Sequence, residues 1–277
     1  MTLSFTKMQA VGNNFVVCDE ADVPTDSDVI SPLVEKLCDR AFGIGADGVL
    51  LVSKTDGADF SMRIFNADGS EDTMCGNGLR CVVRWAHARG LAGTEGVAST
   101  RSGPIPFVLN SDGTVTLNLG VPEFEPSRIP VKASSALDIA LPVPDLGELK
   151  LDAVNTGTTH TVAWGIWPEK PSLFEGISRW IENHPTFPER TSVLWTRVED
   201  DHRLRLRIWE RGVGETLACG TGACAAAVLA LTRGKVQPGE IIVASRGGEL
   251  RVNWEGEGKS VFLTGPAETV FEGTIAL

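Results

Sequence analysis

Histidine is scarce in this 277-residue chain, with four residues at positions 87, 160, 184 and 202, and none of its six cysteines stands in CxxC spacing. Neither pattern builds a zinc site, so no metal is expected. Long apolar runs are missing as well. The longest, Ala223 to Leu231, has nine residues, against the roughly 20 a membrane helix requires. The first residues carry no basic and apolar leader, so a soluble, cytoplasmic protein with reduced thiols and no membrane partner is expected. No basic stripe offsets the net charge of -11, which argues against a nucleic-acid partner. There is no glycine loop of the G-x4-G-K-[ST] form and no lysine context suited to a pyridoxal Schiff base, so no cofactor is expected. The length suffices for one large domain or two ordinary ones, each able to bury a core.

What the chain does contain is its own centre, twice. Residues 62 to 90 align without gaps on residues 206 to 234 at an offset of 144, with nine of 29 positions identical, among them Cys75/Cys219, Gly76/Gly220 and Gly78/Gly222. Such order points to a duplicated unit. Gly12 to Val17 matches Gly157 to Val162 at an offset of 145, and each half closes on a hairpin signal, around Asn110-Ser111-Asp112-Gly113 and around Glu255-Gly256-Glu257-Gly258. Two lobes follow: residues 1–119 with the tail 265–277, and residues 120–264, joined through the proline-bearing stretch Val121 to Pro144. The alternation at Thr269-Val270-Phe271 reads as a strand returning to the first lobe.

Both cysteines fall between a strand and a helix. Phe60 to Phe65 and Leu204 to Trp209 have strand character, while the helices after the cysteines both stop at Arg-Gly. Cys75 and Cys219 therefore sit at or just before helix N-termini, where unpaired N–H groups and the helix dipole are expected to lower a thiol pKa. The glycines beside them leave the backbone open to a bound carboxylate. Two equivalent thiols suit inversion of a carbon next to a carboxylate, one removing a proton and the other delivering one. A thiol redox protein remains the rival reading. Cys18, Cys38, Cys81 and Cys224 read as buried small hydrophobes. On the residues alone, His160 is equally consistent with a structural histidine, and Glu210-Arg211 with a surface ion pair.

The segments Lys7-Met8 through Asn13-Asn14-Phe15, Asn66 to Ser70, Met74 to Arg80, Glu210-Arg211-Gly212 and Ala218 to Ala223 together resemble the diaminopimelate epimerase family, over nearly the whole chain. The resemblance implies an α/β (α+β) fold of two pseudo-symmetric lobes, each a β-barrel-like sheet around a central helix, with the active site in the cleft. It implies a cofactor-independent isomerase of lysine and peptidoglycan-precursor biosynthesis, interconverting LL- and meso-2,6-diaminopimelate as a homodimer. Cys75 and Cys219 would be the acid/base pair, supported by His160 and Glu210. Asn13, Asn66, Gly76, Asn77, Glu210, Arg211, Gly220 and Thr221 would contact the substrate. Thr158 and Ser192 stand where the family usually has asparagines that hold the distal end of the substrate. A hydroxyl is shorter than a carboxamide and offers no paired donor and acceptor. A racemase or epimerase of a different amino acid is therefore the second expectation.

Overall fold

Strand patterning decides which faces are covered. In the computed structural model, which describes residues 2–24, 26–143, 146–165 and 167–276, the chain divides into two compact units, residues 1–118 with 264–277 and residues 119–263. Pro144, the expected end of the joining stretch, lies outside the described residues.

The first unit runs β1 (Thr2–Ala10), β2 (Asn13–Asp19), α1 (Ser27–Cys38), β3 (Gly48–Ser53), β4 (Phe60–Asn66), β5 (Glu71–Asp72), α2 (Gly76–Ala88), β6 (Glu95–Thr100), β7 (Gly103–Leu109) and β8 (Val115–Asn118). The second runs β9 (Ile139–Val143), β10 (Gly147–Asn155), β11 (Thr159–Trp164), α3 (Pro171–Glu182), β12 (Ser192–Asp200), β13 (Arg203–Glu210), β14 (Gly214–Thr216), α4 (Gly220–Thr232), β15 (Ile241–Ser245), β16 (Gly248–Trp254) and β17 (Val261–Gly265). The tail forms β18 (Glu268–Ala276), which pairs antiparallel with β1.

Strand pairing follows the same plan in each unit. β1 pairs antiparallel with β2, β2 lies parallel to β3, β3 is antiparallel to β4, and β4 lies parallel to β6. In the second unit β10–β11, β11–β12, β12–β13 and β13–β15 repeat these relations in order. β9 pairs with β10 as β18 pairs with β1. The helices α1 and α3, and again α2 and α4, begin 144 residues apart.

β3 and β12 carry continuous apolar runs because they are covered on both faces. α1 and α2 both pack on β3, and α3 and α4 both pack on β12. Edge-ward strands such as β7 and β16 alternate instead, burying Ile105 and Phe107, and Leu250, Val252 and Trp254. α2 is wrapped by β1, β2, β4 and β8, and α4 by β10, β11, β12, β13, β15 and β16, so each unit is a curved sheet around a central helix. An alanine-rich α4 suits this place, since small side chains admit strands on every side, and Gly220 through Ala230 are all buried. Under each outer helix lies a second apolar layer, with Ile30, Val34 and Leu37 of α1 in one unit and Phe174, Ile177 and Ile181 of α3 in the other. Cys18 and Cys38 are buried thiols in the first of these layers, and Cys81 and Cys224 are buried on the central helices α2 and α4.

Candidate active site

In the first unit the candidate residues gather beside a tight turn. Val11 and Gly12 join β1 to β2 with φ of 47° and 84°, the double positive φ of a type I′ hairpin. A β-branched residue rarely adopts this backbone, yet Val11 is buried. The turn delivers Asn13 and Asn14 to Asp47, whose Oδ2 accepts from Asn13 Nδ2 at 2.9 Å, Asn14 N at 2.8 Å and Asn14 Nδ2 at 2.9 Å. This leaves Asn13 Oδ1 facing the start of α2, where it accepts from Cys75 Sγ at 3.9 Å and Asn77 Nδ2 at 3.5 Å. Asn77 is itself held by Arg80, a fully buried guanidinium that donates to Asn77 Oδ1 at 2.8 Å and to Gly76 O at 3.3 Å.

Cys75 is the N-cap of α2, with φ -138° and ψ 117°, and its Sγ accepts the Gly78 N–H at 3.5 Å. A thiol here does what a serine or aspartate cap does elsewhere. A Cβ at Gly78 would stand 3.0 Å from a Leu50 methyl, which would have to give way. Asn66, at the end of β4, donates to Ser70 Oγ at 3.1 Å in the exposed β4–β5 turn.

The second unit repeats the cap. Cys219 begins α4 with φ -133° and ψ 118°, and its Sγ accepts the Gly222 N–H at 3.4 Å. Its surroundings differ. Thr221 Oγ1 lies 3.6 Å from the sulfur and 3.0 Å from His160 Nε2, and Thr156 Oγ1 donates to Thr221 O at 2.8 Å. Glu210, in the place on β13 that Asn66 holds on β4, sits within hydrogen-bonding reach of Cys219. Burial raises the Glu210 carboxyl above its ordinary range, against the opposing pull of the neighbouring Thr216 hydroxyl and Cys219 thiol.

The expectation of a lowered thiol pKa fails for Cys219. Burial and then the Glu210 carboxylate push it well above its ordinary value, outweighing hydrogen bonds from Thr221 and the Gly222 N–H. A helix end favours an anion by only about 0.3–1 kcal/mol where exposed, whereas desolvation of a buried group can move a pKa by several units. His160 moves the other way. Burial, with a smaller contribution from Arg211, takes it down to about 3, so the imidazole is neutral.

The turn that carries Glu210 and Arg211 is pinned from below by Glu182. Its carboxylate accepts from Trp209 Nε1 at 2.7 Å and Gly212 N at 2.8 Å, with Arg190 Nη1 at 3.3 Å. Ser192 Oγ accepts from Arg211 N at 3.1 Å, and Arg211 Nη1 donates to Glu189 O at 3.0 Å. Thr158, Arg211, Arg128, Glu189 and Asn155 line a cavity of about 350 Å³ beside this turn. It is a polar recess whose lining includes Thr159 at the start of β11.

The first unit thus brings Asn13, Cys75, Gly76 and Asn77 together, with Asn66 held to its own turn. The second gathers His160, Glu210, Cys219, Gly220 and Thr221 around one sulfur, and Thr158, Ser192 and Arg211 beside them. Asp47, Arg80 and Glu182, the residues that hold these side chains in place, escape sequence reasoning as site residues. Asp47 lies in a Gly-rich stretch between Gly45 and Gly48, the one hint that its carboxylate serves a loop. Glu182 reads simply as the last residue of an amphipathic helix. Among the described residues no group of three or more histidine, cysteine, aspartate or glutamate side chains is placed to hold a metal, and no helix is long and apolar enough to cross a membrane.

This fold is shared with solved structures across essentially the full chain. A phenazine biosynthesis protein of the PhzF family from Bacillus anthracis superposes with a TM-score of 0.74 at 19% identity, covering 100% of both chains. A hydroxyproline epimerase from Agrobacterium vitis superposes with a TM-score of 0.71 at 20% identity, covering 100% of this chain and 93% of that one. At the level of sequence, the diaminopimelate epimerase family profile matches residues 5–125 and 153–270. Diaminopimelate epimerases from Aromatoleum aromaticum, 45% identical over 99% of both chains, and Nitrosospira multiformis, 43% identical over 100% of this chain and 99% of that one, are relatives along the whole length. The chain belongs to the diaminopimelate epimerase family.

Proposed function

We propose that the protein interconverts LL- and meso-2,6-diaminopimelate, and that Cys75 and Cys219 exchange the Cα proton. It is an isomerase by family, which sets the redox alternative aside. In the step proposed, the thiolate of one cysteine takes the proton from Cα and the thiol of the other delivers its own to the opposite face. The first thiolate becomes a thiol, the second thiol a thiolate, and the substrate leaves inverted with no net change in protons. The observation that carries this reading is the repeated cap, with a sulfur in each unit accepting the N–H three residues on at 3.5 and 3.4 Å.

The Cα proton is far less acidic than a thiol, so charge arriving on the substrate carboxylate needs donors. The open N–H groups of Gly76-Asn77 and Gly220-Thr221 supply them, each such donor typically contributing about 2.7–4 kcal/mol to a transition state. Glu210 and His160 tune Cys219, Asn13 and Asn77 orient Cys75, and Arg211 with Thr158, Ser192 and Asn66 meets the rest of the substrate. The chemistry draws on the chain's own thiols alone. Reduced thiols suit a cytoplasmic enzyme, and the family resemblance supports a homodimer, which sedimentation of the purified protein tests.

Turnover in deuterated water is expected to place deuterium at Cα of the product, and Cys75→Ala and Cys219→Ala each to abolish epimerisation. Activity surviving in either variant refutes the pair. A second reading, an epimerase of another amino acid, is favoured by the hydroxyls at Thr158 and Ser192. Comparing diaminopimelate with lysine, ornithine, glutamate and proline as substrates decides between them.

A further inference from the structure

We propose that Thr221 is a positioning residue that passes a tautomer choice made at His160 on to the sulfur of Cys219. The proposal rests on the thiol role of Cys219 given above. His160 is 1% exposed, and while its Nε2 lies 3.0 Å from Thr221 Oγ1, its Nδ1 is buried with no hydrogen-bond partner among the described residues. A neutral imidazole has one N–H and one bare nitrogen. Orphaned buried N–H groups are rarer than under-satisfied acceptors, so the proton belongs on Nε2, where Thr221 Oγ1 accepts it, and Nδ1 stays bare.

That assignment settles the hydroxyl. Thr221 has a single proton to give, and with Oγ1 already accepting from His160 the proton is left for Cys219 Sγ, 3.6 Å away. In the opposite tautomer Nε2 would claim the Thr221 proton and the sulfur would lose a donor. Each time Cys219 surrenders its proton, the thiolate therefore meets two donors, the Thr221 hydroxyl and the Gly222 N–H at 3.4 Å. Among the described residues of this unit, the titratable groups set against it are Glu210 of β13 and, through Thr221, His160 of β11, itself facing the charge of Arg211. The first unit has no copy of the device. The positions matching Thr221 and His160, at offsets of 144 and 145, are Asn77 and Phe15.

Two measurements without substrate test the relay, so its failure is distinguishable from a failure of the epimerase reading. In the full-length protein with 15N-labelled histidine, NMR is expected to show His160 as the Nε2–H tautomer; an Nδ1–H tautomer or an imidazolium overturns the proposal. In a Cys75→Ala background, Thr221→Val is expected to slow alkylation of Cys219, followed by peptide mapping, roughly three- to tenfold at fixed pH, about half to one unit of thiol pKa. Thr221→Ser is expected to restore the rate. Equal rates in the threonine and valine proteins overturn it, and so does failure of serine to rescue.

Discussion

Glu210 and Cys219 bias each other's protons, and the balance is readable by substitution. The carboxylate is the second cause, after burial, of the raised thiol pKa. Glu210→Gln removes the charge and keeps the shape, so Cys219 is expected to ionise at lower pH and to alkylate faster at fixed pH, by up to roughly tenfold per unit of pKa. An unchanged alkylation profile would show that burial alone sets the thiol. His160 supplies a second test through stability. Its pKa falls from 6.5 to about 3 on folding, so the unfolded chain binds the extra proton and stability drops as pH falls through that window. The slope from this one group is about 1.4 kcal/mol per pH unit. Denaturant titrations from pH 6.5 down to pH 4 should show that slope flattened in His160→Gln.

Among the elements, α2 and α4 share one requirement, a helix start that lets a sulfur reach its own N3 amide while a strand passes close by. Gly78 and Gly222 meet it by having no side chain. A Cβ at 222 would stand 3.0 Å from a Leu194 methyl and 3.3 Å from Cys219 Sγ, and one at 78 would stand 3.0 Å from Leu50. Gly222→Ala is therefore expected to cost about 1–3 kcal/mol by overpacking and to reduce kcat by displacing the thiol. Gly78→Ala meets only flexible leucine methyls and Phe15, so its loss should sit nearer the low end of that range. Thermal melts alongside kcat separate the two. Strand and helix placement was legible from periodicity and from Arg-Gly stops, because Arg89 and Arg233 do cap their helices and Gly90 and Gly234 follow with φ of 71° and 59°. The Val11 turn was not. Nothing in local propensity favours valine at positive φ, and the conformation persists because β1 pairs with β2 on both sides of it.

At the scale of the whole molecule, the first unit buries thiols that play no part in the proposed reaction, and these link stability to alkaline pH. Cys18 and Cys81 are each pushed up to about 12 from 9 by burial. The native state then holds protons that the unfolded chain releases above pH 9, so stability falls as pH rises from there, by up to about 1.4 kcal/mol per pH unit for each thiol. Cys18→Ala with Cys81→Ala should weaken that alkaline slope, measured as unfolding midpoint against pH. The sequence by itself determined the repeated order of strands and helices and the sulfur at the head of each central helix, since periodicity, caps and stops act within a few residues. Only the tertiary structure decided that the Cys219 thiol is pushed up rather than down, that His160 is neutral, and that Asp47, Arg80 and Glu182 hold the site residues in place. Those outcomes depend on burial and on charges brought together from distant parts of each unit, quantities that no local stretch of chain contains.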